Sequence, residues 1–479
     1  MSGGRRNNIR AMEEIKYRCR TVHPLTCNAM VFTGLIVDAQ LDEIVLRQTA
    51  AQLVKVWPAL GGQLYRSSRP YALSSGSTVD FESRTLPKSA TSWKRGILHS
   101  IECNQPTISD SLNPEELDDA FIFDVPGAPA NVFLIRATLF RDATLLCFGI
   151  SHHLADRTAA YDVIRAYCDR LAGRPIPSLL LPSDACGQQM SDRVLLSGKH
   201  GRSLRSITYA EHLANFTAGF WPILLLMIRV ILCLLLRKLC LQETLEERYI
   251  YLPDDWVGAV HRGALDTLAA MPVGAQPSWD TQPTRNNIIN AWFLKSVYSA
   301  IPSSRADMYF YGPLSYRCVV EPPRPGTYWI HNSIGLLRHK LSVAQIQNEP
   351  VAMLAGRLRL ASLRFTCPAS IKAFLQMCED HASQQMLPRI PAKGRIPMVM
   401  VTTWTGFDFA CLDFSSAACD RSKPAKVLFV HPLVRSLRQG VWPSAYTLKS
   451  AQGGGYWLRA WNTFSGWKKF SQMVDVDTL

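Results

Sequence analysis

Near the middle of the chain, Phe220-Trp221-Pro222-Ile223-Leu224-Leu225-Leu226-Met227-Ile228 continues past Arg229 through Val230 to Leu236, before Arg237 and Lys238 close the run. This stretch, 220 through 236, limits the fold more than any other, because it needs either lipid or a large apolar interior around it. Its length is at the short limit for crossing ~30 Å of hydrocarbon. The internal arginine costs ~2.5–3.5 kcal/mol on insertion scales, which the many leucines and isoleucines offset. A very apolar helix buried between domains is the second reading. The third is a helix lying in the membrane interface, with Arg229, Arg237 and Lys238 reaching for headgroups. The composition favours membrane association; sequence alone does not choose its mode.

The chain has 479 residues, more than one hydrophobic core usually serves, so two domains of about 200–250 residues are expected. Lys and Arg outnumber Asp and Glu, 52 to 38, for a net charge of +14. That excess favours polyanionic partners. The basic residues are scattered and never run longer than two, which argues against nucleic acid and leaves an anionic membrane or a phosphate-bearing co-substrate. Thirteen cysteines without a C-x-x-C pair, and an N-terminal stretch without an apolar h-region, predict reduced cysteines in a cytoplasmic protein. No ligand set has zinc spacing, so no metal is expected.

Chemistry centres on Cys147-Phe148-Gly149-Ile150-Ser151-His152-His153-Leu154-Ala155-Asp156. Two β-rich runs, Val132 to Phe140 and Thr144 to Ile150, read as a hairpin that delivers the chain to His152. A helical pattern follows from Thr158 to Ala172, closed by Gly173 and Pro175. A histidine where a buried strand gives way to a loop can be held rigidly and, with a pKa near 6.5, can accept a proton at cellular pH.

Elsewhere the pattern predicts helices at about 41–56, 284–295, 343–361 and 368–385. A strand-like start at Tyr17 leads to a short apolar run over Ala29–Val37, and strands are predicted around Met308–Val320, Met398–Trp404 and Lys426–Val430, with a C-terminal hairpin turning at Gly453-Gly454-Gly455. Residues 66–130 read as short strands and loops, with a turn at Asn113-Pro114. Residues 1–14 are expected to be disordered. A first half over 15–205, an apolar crossover over 206–245 and a second half over 246–479 complete the division. The alternation belongs to a layered α/β (α+β) fold.

Several stretches together resemble the fungal members of the BAHD-type acyl-CoA-dependent acyltransferases. His152-x-x-x-Asp156 resembles the HxxxD of that family. Ala160-Tyr161-x-Val163-Ile164-x-Ala166-Tyr167-Cys168-x-x-Leu171-x-Gly173 resembles the helix after it, and Thr284-x-Asn286-Asn287-x-Ile289-x-Ala291-Trp292 resembles the second-half "ND…AW" helix. Thr402-Thr403-Trp404, followed by Asp413-Phe414, resembles the "S/T-S-W…DFG" region, and Gly61-Gly62 fits the early turn. Peptide-synthetase condensation domains, which share the fold, carry HHxxxD. Here only Leu154 and Ala155 separate His153 from Asp156, so the count selects His152 as the base and makes His153 a neighbour. Two positions depart from the family: Arg157 replaces a glycine, and Asp413-Phe414-Ser415-Ser416-Ala417 lacks both glycines of DFGWG. Arg157 adds a cation near the CoA channel or blocks a turn needing positive φ.

The resemblance implies two chloramphenicol-acetyltransferase-like domains with the reaction tunnel between them. It implies acyl-CoA, most simply acetyl-CoA, as co-substrate with no bound cofactor, and a hydrophobic hydroxylated small molecule as acceptor. His152 would be the general base, Thr402 and Trp404 would donate to the developing oxyanion, and Asp156 would hold the loop through a salt bridge. Trp404 reads equally well as core packing. Asp413 would be structural, with Arg317 a partner across the second domain. Arg421, Lys423 and Lys426 are candidates for the CoA phosphates or for an ordinary solvated loop. His23 and His331 are expected to be ordinary, and Asn332 to sit near the tunnel.

With both halves packed on each other, the run at 220–236 could not cross the bilayer once. An interfacial or re-entrant anchor through 216–240 survives, with the protein, a monomer, at the cytosolic face of the endoplasmic reticulum membrane. The expected activity is O-acetylation of a fungal secondary metabolite (terpenoid, meroterpenoid or polyketide). The rivals are a longer-chain or N-acyltransferase and a non-catalytic membrane-associated binding protein on the same fold.

Overall fold

The computed structural model describes residues 15–19, 30–65, 71–123, 131–180, 190–194, 204–272, 282–302, 305–320, 327–381, 384, 386–390, 396–434 and 441–470. Residues 1–14 and His23, singled out above, lie outside these. Two sheets organise the rest. Strands β1 (Met30–Val37), β2 (Asp80–Thr85), β3 (Thr107–Ile108), β4 (Phe133–Leu139) and β5 (Thr144–Ser151) precede the apolar run. After it come β6 (Leu245–Leu252), β7 (Asp307–Ser315), β8 (Ile334–Ser342), β9 (Met398–Trp404), β10 (Val427–Val434), β11 (Ser444–Lys449) and β12 (Tyr456–Thr463). Four helices matter most below: α1 (Glu43–Val56), α2 (Arg157–Leu171), α3 (Phe220–Lys238) and α4 (Arg285–Tyr298).

The first sheet has the order β10-β1-β5-β4-β2, and the second β8-β7-β9-β11-β12-β6-β3. Each sheet therefore takes an edge strand from the other half of the sequence. β10 pairs antiparallel with β1, with Leu433 opposite Phe32, and β3 pairs with β6, with Ile108 opposite Ile250. A division at 205 and 246 separates the sheets in sequence, but in space Val427–Val434 belongs to the first. Every residue of β1 and β5 is buried, as expected of central strands covered on both faces.

The expected hairpin forms with Leu139 opposite Thr144 and carries the chain to His152. The C-terminal hairpin turns through Gly453, Gly454 and Gly455 at φ of 69, 73 and 72, a left-handed run that glycine adopts without a Cβ penalty. At the Gly61-Gly62 turn a Cβ on Gly62 would stand 1.9 Å from the Ser74 carbonyl oxygen, so the requirement there is close backbone approach. The stretch expected as one helix over 343–361 is two, Val343–Asn348 and Val351–Phe365. Pro350 precludes the intervening turn and caps the second.

Residues 66–130 hold two helices that the pattern does not show. Thr91–Ile101 contains Gly96, whose weak helix propensity masks the period. Asn113-Pro114, read as a turn, is a helix start: the Asn113 side chain accepts from the Glu115 amide, and Pro114 opens Pro114–Phe121. Asparagine followed by proline suits a turn and a helix N-terminus alike. Helix α3 has no buried residue, which excludes the reading of the apolar run as a core helix.

Candidate active site

Asp156 builds the site outward from its own backbone. It is fully buried and caps α2, its side chain accepting from the Ala159 amide at 2.9 Å. Arg317, which follows β7 in the second half, donates to both Asp156 oxygens, from Nη2 at 2.9 Å and Nε at 3.3 Å. The Ser333 amide donates to Oδ2 at 2.9 Å. One carboxylate thus fixes a helix start in the first half and a loop in the second. Arg317 reaches further, to the carbonyls of Trp329 and His331. Its partner is Asp156 and not Asp413, which lies in an exposed pair with Lys426 at 3.1 Å.

His152 stands between the end of β5 and this capped helix start. Its Nδ1 lies 3.0 Å from the Ala155 carbonyl oxygen. A carbonyl only accepts, so Nδ1 carries the proton and Nε2 keeps its lone pair. Burial lowers the pKa of the ring, which keeps it neutral near pH 7. The backbone is held too: Asn332 Nδ2 donates to the His152 carbonyl at 2.8 Å. Asn332 therefore braces the histidine directly, while its own Oδ1 is buried without a hydrogen bond among the described residues. His331 is buried, stacked on Trp329 with its Nδ1 2.9 Å from the Ser333 hydroxyl, and His153 is buried next to His152.

Arg157 joins this loop to β9. As the first residue of α2 it has negative φ, since Cys240 is the only non-glycine residue with positive φ among those described. The strained-turn alternative is thereby removed. Its guanidinium lies 3.2 Å from the centroid of the Trp404 ring and donates to the Thr33 hydroxyl and the Phe32 carbonyl of β1. Among the described residues it makes no ion pair, and burial depresses its pKa. Sequence reasoning could place this cation only relative to Asp156; its seat on Trp404 depends on how β9 crosses the first half.

Thr402 and Trp404 alternate on one face of β9, while Thr403 on the other donates to Asn286 Oδ1 of α4 at 3.1 Å. Trp404 is 2 % exposed and packs in the core of the first half, edge-on to Tyr446 at 5.8 Å. Its Nε1 is buried without a partner among the described residues. Buried indole N–H groups normally find one, so this donor is uncommitted, close to the Arg157 guanidinium at the start of α2. The structure thus shows the packing reading of Trp404 directly.

The segment between β9 and the DFG-like stretch is a dock for α2. Tyr161 donates its hydroxyl proton to the Asp408 carbonyl at 2.6 Å and packs against Phe407 and Phe409, while Phe414 is fully buried. The Tyr161 contact was not legible in sequence. Burial opposes ionisation of Asp413, but the Ser415 hydroxyl and amide together with Lys426 outweigh it and leave its pKa lowered. Arg421 and Lys423 are exposed, whereas Lys426 is held by Asp413. The three do not form one cluster of free cations.

No family model matches the chain. The acetyltransferase peniE of Penicillium patulum is 34% identical over 483 residues, covering 97% of this chain and 98% of that protein. The O-acyltransferase pboC of Aspergillus ustus is 21% identical and covers 83% and 84%. Among solved structures, F. sporotrichioides TRI101 complexed with coenzyme A and T-2 superposes with a TM-score of 0.63 at 14% identity, covering 95% of this chain and 96% of that one. Vinorine synthase superposes with a TM-score of 0.59 at 13% identity, covering 96% and 92%. The two structures establish the fold. With peniE alike over nearly the whole of both chains, this protein belongs to the BAHD-type acyl-CoA-dependent acyltransferases.

Proposed function

We propose that the protein is an acetyl-CoA-dependent O-acetyltransferase that acetylates a hydroxyl of a hydrophobic fungal secondary metabolite, with His152 as general base. The single observation that carries the assignment of the base is its tautomer: the Nδ1 proton is tied to the Ala155 carbonyl, leaving Nε2 to receive one. The name of peniE favours acetyl over longer acyl groups. The complexes of TRI101 with coenzyme A and with T-2 or deoxynivalenol favour a CoA thioester and a compact hydroxylated acceptor.

In this reading the acceptor oxygen attacks the thioester carbonyl as its proton passes to His152 Nε2, a role typically contributing ~10²–10⁴ in rate. The charge on the former carbonyl oxygen is met by the Trp404 indole N–H and the Thr402 hydroxyl, where one well-placed donor contributes ~3–4 kcal/mol. The tetrahedral intermediate then collapses. The C–S bond breaks, the imidazolium proton goes to the CoA thiolate, and the ester leaves with His152 restored. Asp156 takes no proton; it is saturated by Arg317 and two amides. Arg421 and Lys423 remain for the CoA phosphates. The enzyme would act as a monomer in the cytoplasm, with 216–240 holding it at the cytosolic face of the endoplasmic reticulum, near lipophilic acceptors.

Purified protein incubated with acetyl-CoA and a pool of hydroxylated terpenoids and polyketides tests this. Thiol release together with an acceptor gaining one acetyl group, both lost in His152→Ala, is the expected result. Thiol release that survives in the variant would remove His152 from the role. No release with any acyl-CoA, from folded protein, would leave a binding protein.

A further inference from the structure

The outer face of α3 is one unbroken apolar stripe. Trp221, Leu225, Ile228, Leu232, Leu235 and Leu239 recur at steps of four and three, and each is at least half exposed, with Trp221 at 70%. At 3.6 residues per turn these six fall on one line along the helix. Soluble proteins seldom expose a continuous apolar surface of this size without a partner for it. The three cations sit off the stripe. Arg237 lies on the opposite face and donates to the Val441 carbonyl at 2.6 Å. Arg229 and Lys238 lie roughly 80–100° to either side of the line, with Arg229 half-buried.

Both ends of the helix return to the same body. Before it, Phe216–Ala218 pairs with Met386–Pro388. After it, the left-handed residue Cys240, at φ 57, turns the chain into β6. That strand pairs with β12 and with β3 from the first half. A single crossing would separate β3 from β6 and Asp156 from Arg317 by a bilayer. At 19 residues the helix is about 28 Å long, so topology, not length, forbids crossing.

We infer that α3 is an in-plane anchor that sinks its Trp221–Leu239 stripe into one leaflet, with Arg229 and Lys238 flanking it at headgroup level and the whole enzyme on one side. This rests on the membrane association proposed above and specifies its geometry. Lipid suits the stripe better than a protein partner. Its only hydrogen-bonding group is the Trp221 indole at one end, where an amphipathic ring fits the interface, and the net charge of +14 complements anionic headgroups.

The test uses the full chain and vesicles of phosphatidylcholine with phosphatidylserine. Flotation that persists in high salt is expected. Ile228→Glu/Leu232→Glu should weaken it at least about tenfold, with melting temperature and acetyl transfer unchanged. The fluorescence difference between wild type and Trp221→Phe should be quenched more by lipids brominated near the headgroup than by lipids brominated near the chain end. Flotation with the opposite quenching order would overturn the in-plane geometry while leaving membrane association standing. Failure of the wild type to float would overturn both. A dimer in solution that the double variant dissociates, without flotation, would assign the stripe to a second copy instead.

Discussion

Asp156 and Asp118 are both carboxylates of the first half that grip an arginine of the second, yet they do different work. Asp156 spends two of its contacts on backbone amides, those of Ala159 and Ser333, besides its pair with Arg317. Asp118 is held by side chains. Arg459 reaches it at 2.9 Å, and His431 Nε2 donates to it at 2.6 Å while His431 Nδ1 accepts from Tyr249. Glu247 pairs with the same Arg459. The first cluster sets the course of a loop; the second ties the helix Pro114–Phe121 to strands of both sheets already fixed by their ladders. A carboxylate bonded to amides fixes the loop that carries the histidine four residues before it, whereas a carboxylate bonded to side chains joins elements that are already in place.

The sharpest way to break that contrast is to remove each arginine. Arg317→Met and Arg459→Met each strand a buried or half-buried carboxylate, and each should cost about 3–5 kcal/mol in denaturant unfolding. Only Arg317→Met should also lower kcat for the folded fraction, by ~10-fold or more, because the His152 loop loosens. Equal kcat in the two variants would mean that the loop is held by something else.

Acid separates the clusters next. Burial, reinforced by the nearby charge of Arg459, pushes the His431 pKa down to about 4. The folded value lies below the unfolded 6.5, so the unfolded chain binds the extra proton, and stability falls as pH drops from about 6.5 to about 4, by up to ~3 kcal/mol. His212 and His339, also pushed to about 4 by burial, add in the same direction. His431→Gln should flatten this limb of a stability–pH profile. His152 should instead appear in kcat/KM, which falls with acid through a pKa below 6.5 as the base is protonated.

A smaller effect is expected at Arg157. Burial is the main cause of the low His152 pKa, and the Arg157 cation adds to it. Arg157→Met should move the acid limb of kcat/KM upward; an unmoved limb would remove the arginine from the electrostatics of His152. The smallest change belongs to Asp413→Asn. Its pair with Lys426 is about two-fifths exposed on both sides, so melting should report a loss under about 1 kcal/mol.

What the sequence determined by itself is local. Asp156 before a helical run, Thr284 with Asn287 as a reciprocal cap, three glycines between two strands and the β4–β5 hairpin all appear where their residues predict. A cap or a tight turn is settled within about four residues. The HxxxD spacing belongs to the same class, which is why His152 and Asp156 could be singled out before any fold was seen. The tertiary structure alone decided the pairings across distance: Arg317 with Asp156, β10 in the first sheet, Arg157 on Trp404, and the hydrogen bond from Asn332 to the His152 carbonyl. Such contacts depend on how two sheets exchange edges and on which side chain is left facing a buried charge. Desolvation makes them strong once formed, but no short window of sequence contains both partners. The outward face of α3 is the clearest case. Its composition asks for a place away from water, and only the return of both helix ends to one body rules out a single membrane crossing.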